Sequence, residues 1–222
     1  MLFGRSIHAC AQHHFEKLLA GQPAPGVDEL LDVYQAAWNE QPEGTILYGS
    51  GDTRDSLAGL ADRMLKAFLA SDFARPQGII LGVEEELRGP VIPGCPDLLG
   101  RVDLIVEAED ALIVSDYKTS RTTWSFDKIE QSSPQLLLYG ELVQAFSPLK
   151  PVRLQFAVLP KTKLPTVQVH EVECDPAAVA RTKAVVQRVW NAIKAGPNFY
   201  PNPSPMNCPT CPFRGPCQRW SG

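Results

Sequence analysis

The most constraining feature of the sequence is a pair of apolar segments separated by two acidic residues. The segments LGRVDLIVEAE at 99–109 and ALIVSDYKTS at 111–120 are rich in Val, Ile and Leu, which is typical of β-strands. A hairpin whose turn is centred on Glu109 and Asp110 places Asp103 directly opposite Asp116. Lys118 then projects from the same face as Asp116, because side chains two residues apart share one face of a strand. Any fold of this chain must therefore accommodate two carboxylates and a lysine within an apolar hairpin.

Two aspartates that face each other across a sheet are unfavourable unless they are neutralised. Like charges directly opposite each other destabilise a strand pair, and Asp is a poor strand former. A cation between them removes the conflict, and Mg²⁺ or Mn²⁺ prefers carboxylate oxygens, with water or phosphate at the remaining positions. Lys118 beside such an ion is suited to orient or deprotonate an attacking water. The alternative is a solvent-exposed face with a salt bridge to Lys118, but the apolar residues on both strands favour the metal site.

The composition is that of an ordinary globular chain without an overall positive charge. The 222 residues suffice for one large domain, or for one domain with an appendage, and 44% are hydrophobic. No apolar run approaches the roughly 20 residues of a membrane span or resembles a secretory signal, so we expect a cytoplasmic protein without membrane contact. The formal net charge is −4. Nucleic acid would therefore need a local basic patch, for which the candidates are Arg101, Arg121 and Lys128.

Periodicity predicts an α/β fold in which three helices precede a sheet. Helices are predicted at residues 4–21, 28–40 and 54–73, and strands at 78–89, 99–109 and 111–120. Ser133 followed by Pro134 predicts the start of a helix that continues to about residue 146. A second hairpin, VRLQFAVLP with TVQVHEVEC, and a last helix from Asp175 to Gly196 follow. We expect residues 1–196 to form one domain and the proline-rich residues 197–222 a C-terminal segment packed on it.

Several short motifs, taken in order, resemble the PD-(D/E)XK nuclease superfamily and, within it, the RecB-like exonuclease branch. Gly4 to His8 is similar to the G-x-x-x-H helix of that branch, and Glu84, Glu85 and Glu86 stand where it carries a strand glutamate. Gly100 to Asp103 is similar to its G-x-x-D phrase, Asp116 to Thr119 to its D-Y-K-T phrase, and Gln135 with Tyr139 to Q-x-x-x-Y. Each motif is short, but the ordered set covers residues 4–146.

The resemblance implies a restriction-endonuclease-like fold, with a mixed central sheet flanked by helices, and metal-dependent hydrolysis of DNA. It implies that the catalytic residues are Asp103, Asp116 and Lys118. The ligands of one or two Mg²⁺ or Mn²⁺ ions would be Asp103 and Asp116 with His8, Glu84 and the backbone carbonyl of Tyr117. The residues expected to contact the nucleic acid or to brace the site are Gln135, Tyr139, Arg101 and Arg121.

Some of these residues also have a simpler interpretation. His8 lies at helical spacing with Ala11 and Phe15, so a hydrogen-bonded core histidine is the alternative to a ligand. His13 and His14 fall on the opposite, polar face and are predicted to be solvated. Glu84 and Glu86 share a strand face and Glu85 lies on the other, so a charged strand edge is an alternative for each. Gln135 and Tyr139 share a helix face and could be a polar–aromatic pair at the rim of the core.

Three cysteines in the proline-rich tail, spaced C-x2-C-x5-C, predict a metal site. The tail from Pro197 to Pro216 holds seven of the twenty prolines and is predicted to form neither a helix nor a central strand. An ordered conformation of this segment would therefore have to be held by side chains, such as cysteines bound to a metal. The spacing resembles the C-terminal motif of AddB-type and CRISPR-associated RecB-like exonucleases, which implies a 4Fe-4S cluster, with zinc as the alternative. The cluster residues would be Cys208, Cys211 and Cys217. That family has a fourth cysteine before the histidine helix, which this chain lacks; the candidates are Cys10, Cys95 and Cys174.

The sequence therefore predicts a Mg²⁺- or Mn²⁺-dependent deoxyribonuclease, acting as an exonuclease on single strands or ends. The expected context is recombination, repair or CRISPR-related DNA processing, with helicase or other recombination or CRISPR proteins as partners. The alternative is a nucleic-acid-binding subunit of a recombination or adaptation complex whose cleavage is weak or depends on a partner. The complete set of Asp103, Asp116 and Lys118 argues for the enzyme.

Overall fold

The chain folds into a five-stranded mixed sheet with helices on both faces, which confirms the predicted α/β class. The structure is a computed structural model, and it describes residues 2–42, 46, 48–49, 51–196, 201–204 and 208–220. The strands are β1 Ile79–Gly89, β2 Leu98–Glu107, β3 Leu112–Ser120, β4 Val152–Pro160 and β5 Gln168–Val172. The helices are α1 Leu2–Leu19, α2 Val27–Asn39, α3 Arg54–Ala70, α4 Phe126–Phe146, α5 Pro176–Ala195 and α6 Arg214–Gln218. None of the helices in these ranges is long and apolar enough to cross a membrane.

The strands lie in chain order, β1-β2-β3-β4-β5, and one pair is parallel. The β1–β2, β2–β3 and β4–β5 pairs are antiparallel, as tight connections allow. The β3–β4 pair is parallel, and α4 forms the crossover between its strands. The strand that carries Asp116 and Lys118 therefore lies at the centre of the sheet, where both faces are covered.

Two apolar clusters hold the helices against the two faces. The first cluster joins α1, α2 and α3 to one face, and it contains Phe15, Leu30, Met64, Phe68 and Leu104. The second joins α4 to the other face and contains Val102, Val114, Leu136, Val143 and Phe156. Because α1 and α4 lie on opposite faces, the residues they carry approach β3 from opposite sides.

The predicted start of α4 at Ser133 and Pro134 is wrong, because the helix begins at Phe126. Ser125 is the N-cap, and its side chain accepts a hydrogen bond from the backbone N–H of Lys128 at 3.3 Å. Pro134 lies inside the helix, where it lacks the N–H that would bond to the preceding turn. The flanking apolar residues of α4 are buried against the sheet, and this packing outweighs the unfavourable proline.

The expectation that the C-terminal tail contains no helix is also wrong in part. A 3-10 helix covers Cys208–Thr210, and α6 covers five residues. Pro216 is the third residue of α6, where a backbone N–H has no partner within the helix, so the proline does not break it. Residues 197–200, 205–207 and 221–222 of the predicted C-terminal segment lie outside the described residues.

Candidate metal centre

The register of the β2–β3 hairpin is the predicted one. Leu104 pairs with Ser115, and the pairing continues with Ile105 and Val114. The next position along the two strands holds Asp103 and Asp116, so the two carboxylates lie next to each other beyond the last ladder pair. A backbone hydrogen bond of 2.9 Å from Ala108 to Ala111 closes the turn.

A third carboxylate completes a row across three strands. Val83 pairs with Leu104 and Glu85 with Val102, which places Glu84 opposite Asp103. Glu84 has a φ of 52°, and it is the one described residue other than glycine with a positive φ. Such a backbone costs roughly 1 kcal/mol or more, and residues strained in this way cluster at functional sites. The row therefore consists of Glu84 on β1, Asp103 on β2 and Asp116 on β3.

The side chains of β2 change faces at this row. Leu104 packs in the cluster beneath α1, whereas Val102, two residues away, packs in the cluster beneath α4. A regular strand would place both on the same face. The alternation therefore breaks at Asp103, opposite the strained backbone of Glu84. For this reason strict alternation could not tell which of the three glutamates joins the site.

Asp103 is buried and tied to the neighbouring strand. The residue is 8% exposed, and its Oδ2 accepts a hydrogen bond of 2.9 Å from the backbone N–H of Tyr117. Burial raises the pKa of Asp103, and the charges of Asp116 and Glu84 raise it further. Burial also raises the pKa of Asp116 and of Glu84. The protein therefore holds three acids that resist ionisation unless a cation joins them.

Lys118 neutralises only part of this charge. Its Nζ lies 2.8 Å from both carboxylate oxygens of Asp116 and donates a hydrogen bond to Oδ1. Asp116 Oδ2 is buried and has no aligned hydrogen-bond partner among the described residues. Buried polar atoms seldom lack a hydrogen bond, so this oxygen can accept a metal ion in addition to its ion pair with Lys118.

His8 approaches the row from α1 and lies against Tyr117. The two ring centroids are 4.8 Å apart, and Tyr117 packs in turn against Phe15 and Phe73. Burial, and then the charge of Lys118, lower the pKa of His8, which favours the neutral form that binds metals. His8 is half-buried, so it lies at the edge of the core rather than within it.

The side chain of Tyr117 is a part of the site that the sequence reasoning missed, since only its backbone carbonyl was singled out. The Tyr117 hydroxyl bonds to the backbone oxygen of Asp103 at 3.4 Å, while the ring supports His8. Strand alternation offered a signal for this role. It places Tyr117 on the face opposite Asp116 and Lys118, where α1 lies.

These side chains can form a divalent metal site. Ligand atoms of His8, Glu84 and Asp103 lie within 4.8 Å of one another, the one such group found in the described part of the chain. Asp116 Oδ2, which accepts no aligned hydrogen bond from the described residues, belongs to the adjacent carboxylate. Carboxylate oxygens with one imidazole suit Mg²⁺ or Mn²⁺, since the donors are mainly hard.

A groove of about 580 Å³ opens over this centre between α1 and the sheet. Its lining includes His8, Glu84 and Lys118 together with two arginines, Arg5 and Arg101. Arg5 forms an ion pair of 2.7 Å with Glu40 at the side of the groove. The centre is thus acidic and the walls carry positive charge, which suits a substrate that brings its own negative charge.

Two motif glycines make the close contacts that join these elements. A Cβ on Gly4 would lie 2.8 Å from Thr119 Oγ1, so this glycine lets α1 approach the end of β3. A Cβ on Gly100 would lie 2.9 Å from the ring of Tyr139, so this glycine makes room for α4. Gly4 thus lets its own helix approach the D-Y-K-T segment, and Gly100 lets the helix that carries Tyr139 approach β2.

The remaining predicted contact residues lie around the centre at different distances. Tyr139 accepts a hydrogen bond of 2.8 Å from Gln135 Nε2. Burial raises the pKa of Tyr139, and the charges of Asp116 and Asp103 also raise it. Arg101 pairs with Glu86 along the strands and lines the groove, whereas Arg121 is exposed just after β3. Lys128 lies over the ring of Trp124, 5.7 Å from its centroid.

The expectation that His13 and His14 are solvated is wrong, most clearly for His14. His14 is 1% exposed, and its Nε2 bonds to the backbone oxygen of Ala74 at 2.8 Å. His13 is half-buried and lies 2.8 Å from Glu29 Oε1. The error arises because α1 is covered on more than one side, by the sheet and by the packed helices, so its polar stripe is not a solvent face.

Cys10 has the surroundings of a core thiol. It is fully buried, and its Sγ donates to the backbone oxygens of Ser6 and Leu30 at 3.1 and 3.2 Å. Burial raises its pKa to about 12, which disfavours the thiolate that binds metals. In the tail, by contrast, the half-buried Cys208 Sγ accepts a hydrogen bond of 3.1 Å from the backbone N–H of Ser204.

The chain matches a known protein family along nearly its whole length. The sequence model of the PD-(D/E)XK nuclease superfamily matches residues 2–218. Among solved structures, a candidate exonuclease from Eubacterium rectale is 13% identical with a TM-score of 0.49, and the match covers 91% of this chain and 80% of that one. The protein SSO0001 is 16% identical with a TM-score of 0.40, over 95% of this chain and 84% of that one. The search of curated proteins finds no match.

Proposed function

The chain belongs to the PD-(D/E)XK nuclease superfamily, and we propose that it is a Mg²⁺- or Mn²⁺-dependent deoxyribonuclease that acts on single strands or ends. The observation that carries this proposal is the row of Glu84, Asp103 and Asp116, with Lys118 Nζ 2.8 Å from Asp116. Two buried acids, Asp103 and Asp116, next to the half-buried Glu84 lower the stability of the fold, and a metal ion explains why the chain tolerates them.

The ion would be held by Asp103 and Asp116, with Glu84 and His8 beside them and the backbone carbonyl of Tyr117 as a further donor. When bound, a divalent ion lowers the pKa of water and stabilises negative charge on a phosphate. The chain itself supplies the orientation. The hydrogen bond from Tyr117 fixes Asp103, and the ring of Tyr117 fixes His8.

Lys118 is proposed to position the attacking water and to steady the charge of the scissile phosphate. Its ammonium forms an ion pair with the carboxylate of Asp116, so Lys118 lies at the edge of the metal centre rather than among the ligands. A phosphate that enters the groove would bring a second anion to the same ammonium. Lys118 can then hydrogen-bond to the water on one side and to the phosphate on the other.

The walls of the groove are proposed to bind the rest of the strand. Arg101 lines the groove, and Gln135 with Tyr139 borders the centre from the α4 side. Arg121 stands beyond the end of β3. We place this nuclease in recombination, repair or CRISPR-related DNA processing, a context supported by the resemblance of its motifs to RecB-like exonucleases.

The tail, residues 197–222, is proposed to bind a 4Fe-4S cluster through Cys208, Cys211 and Cys217, with zinc as the alternative. The motif spacing supports this, as does the N–H···S hydrogen bond to Cys208, since such bonds tune cluster sulfurs. Burial of Cys10 in the core leaves Cys95, which is half-buried, and Cys174, which is exposed, as candidates for a fourth ligand.

One assay tests the proposed activity directly. End-labelled single-stranded and double-stranded DNA are incubated with the protein, with Mn²⁺ or with EDTA, and the products are sized on a denaturing gel. We expect stepwise shortening of the single strand that requires Mn²⁺, and none with the Lys118→Ala variant. Absence of Mn²⁺-dependent products from the wild-type protein on either substrate would reject the nuclease. DNA binding without cleavage would instead favour the binding subunit.

A further inference from the structure

Outside the metal centre, two basic residues stand side by side where β3 and β4 end. These parallel strands are in register up to Ser120 and Pro160, so the next residues, Arg121 and Lys161, are neighbours at the same edge of the sheet. The backbone N–H of Lys161 donates a hydrogen bond of 2.7 Å to the oxygen of Ser120, which holds the two chain ends together. Topology therefore brings two cations together three residues beyond Lys118.

The side chain of Lys161 is held in place by the first turn of α1. Its Nζ lies 4.6 Å from the centroid of the Phe3 ring, and Phe3 is buried in the core cluster. Gly4, the next residue, abuts Thr119 at the end of β3. Phe3 thus fixes the ammonium beside the groove, so little side-chain entropy would be lost when it binds a ligand.

The two cations lack a full counter-charge. Neither forms an ion pair with a residue in the described ranges, although the negative charge of the exposed Asp52 raises the pKa of Lys161. Burial lowers the pKa of Lys161, and the charge of Arg121 lowers it further. Two adjacent like charges raise the energy of the free protein, and an anion between them would remove that repulsion.

We propose that Arg121 and Lys161 form a phosphate-binding site that holds the substrate strand next to the metal centre. This inference rests on the proposed function. It adds Lys161 to the residues that bind the nucleic acid, and it gives the path of the strand across the protein. The strand would pass from the carboxylate row, over Lys118 and Thr119, to the edge of the sheet. The ligand is a phosphate group, either an internal phosphodiester or a terminal phosphate of the same strand.

The test measures binding without cleavage. A fluorescent single-stranded oligonucleotide is titrated with protein in EDTA at several salt concentrations, using wild type, Lys161→Gln, Arg121→Gln and the control Arg188→Gln. Lys161→Gln keeps most of the stem that lies on Phe3 and removes the charge. Arg188 is an exposed arginine on α5, the helix that packs against α4. Melting curves of each variant verify that it is folded.

We expect Lys161→Gln and Arg121→Gln each to raise Kd about fivefold to tenfold and to reduce the slope of log K against log salt by about 0.7, the contribution of one phosphate contact on a single strand. Arg188→Gln should match the wild type. Asp52→Asn should tighten binding, because it removes a negative charge that acts on Lys161. Equal Kd values and slopes for Lys161→Gln and wild type would overturn the inference, as would a wild-type protein that does not bind the strand.

Two further comparisons separate the possible outcomes. Oligonucleotides with a 5′-phosphate or a 5′-hydroxyl identify the ligand, since an effect of Lys161→Gln on both assigns an internal phosphodiester and an effect on the first alone assigns a terminal phosphate. Cleavage by the wild type is measured separately with Mn²⁺. If the wild type cleaves DNA and Lys161→Gln binds the oligonucleotide as tightly as the wild type, the proposed function stands and the phosphate site is rejected.

Discussion

At the scale of single residues, the site divides between groups that hold an ion and one that lies beside it. Asp116 has a buried Oδ2 that accepts no aligned hydrogen bond, whereas the half-exposed Lys118 forms an ion pair with the same carboxylate. We expect Lys118→Ala to lower the cleavage rate by at least 100-fold, the scale of one lost proton-transfer or charge-stabilising group, and to leave Mn²⁺ affinity nearly unchanged. Asp116→Ala should lose both. Calorimetric titration of Mn²⁺ into each variant decides this, and an equal loss of affinity in the two would remove the distinction.

Asp103 links the metal to stability through its raised pKa. A carboxyl whose pKa is higher in the folded state stabilises the fold below its ordinary pKa of about 4, and this contribution is lost as pH rises through the folded-state value. Without metal, we therefore expect Asp103→Asn to melt higher than wild type at pH 8, with a difference that shrinks toward pH 5. The asparagine oxygen can still accept the hydrogen bond from Tyr117.

Metal should reverse this order. Mn²⁺ binds the ionised carboxylates, so it should raise the melting temperature of the wild type more at pH 8 than at pH 6. Asp103→Asn should show little or no such shift. Thermal melts in EDTA and in Mn²⁺ over this pH range provide the measurement, and equal Mn²⁺ shifts in both proteins would show that Asp103 is not a ligand.

At the scale of elements, the sequence predicted the strands and the hairpin register because both depend on local pattern. The acidic pair between two apolar runs predicts the β2–β3 turn. The position of that turn then places Asp103 opposite Asp116. Local pattern failed where tertiary contacts decide. Burial of α4 keeps Pro134 inside a helix, packing around α1 buries His14, and the strained backbone at Glu84 breaks an alternation that residue types alone suggest is regular.

The contact between Gly100 and Tyr139 gives a test at this scale. A methyl group at residue 100 would overlap the Tyr139 ring, so Gly100→Ala should cost roughly 1–3 kcal/mol and displace α4 from the metal centre. Gly59→Ala is the matched control. Gly59 is exposed in the middle of α3, where a methyl group would meet only Arg63 Nη1 at an ordinary 3.8 Å, and alanine there should stabilise the protein by about 1 kcal/mol. Chemical denaturation and cleavage rates of both variants test the contact, which is unimportant if Gly100→Ala behaves like the control.

At the scale of the whole molecule, the ordered motifs identified the family, although no single motif would have done so. They are dispersed over residues 4–146 and converge because α1 and α4 pack on opposite faces of the strand that carries Asp116. The sequence could not give the distances between them, since these depend on how two helices and three strands pack. It also could not place Lys161, whose position next to Arg121 depends on the parallel register of β3 with β4.

The cysteines of the tail predict the metal content and the colour of the purified protein. We expect protein purified without oxygen to be brown, to contain iron and to lose its colour in air, because three cysteines alone leave one iron open to solvent and oxidation. Cys208→Ala should remove most of the metal, whereas Cys10→Ala, a change at the core thiol that is not a candidate ligand, should leave the metal content unchanged. Elemental analysis distinguishes the possibilities, since stoichiometric zinc without iron would replace the cluster by a zinc site, and unchanged metal in Cys208→Ala would remove the site.

The carboxylate row also has a consequence for how the chain reaches its native state. Its three acids come from strands that are consecutive in the chain and pair by antiparallel contacts, and such short loops close early in folding. His8 comes from the far end of the domain, and its contact with Tyr117 requires a much longer loop to close. The chain therefore brings together its most repulsive charges before the rest of the site exists. A divalent ion present during folding should accelerate strand pairing, whereas the contact of His8 should slow unfolding instead.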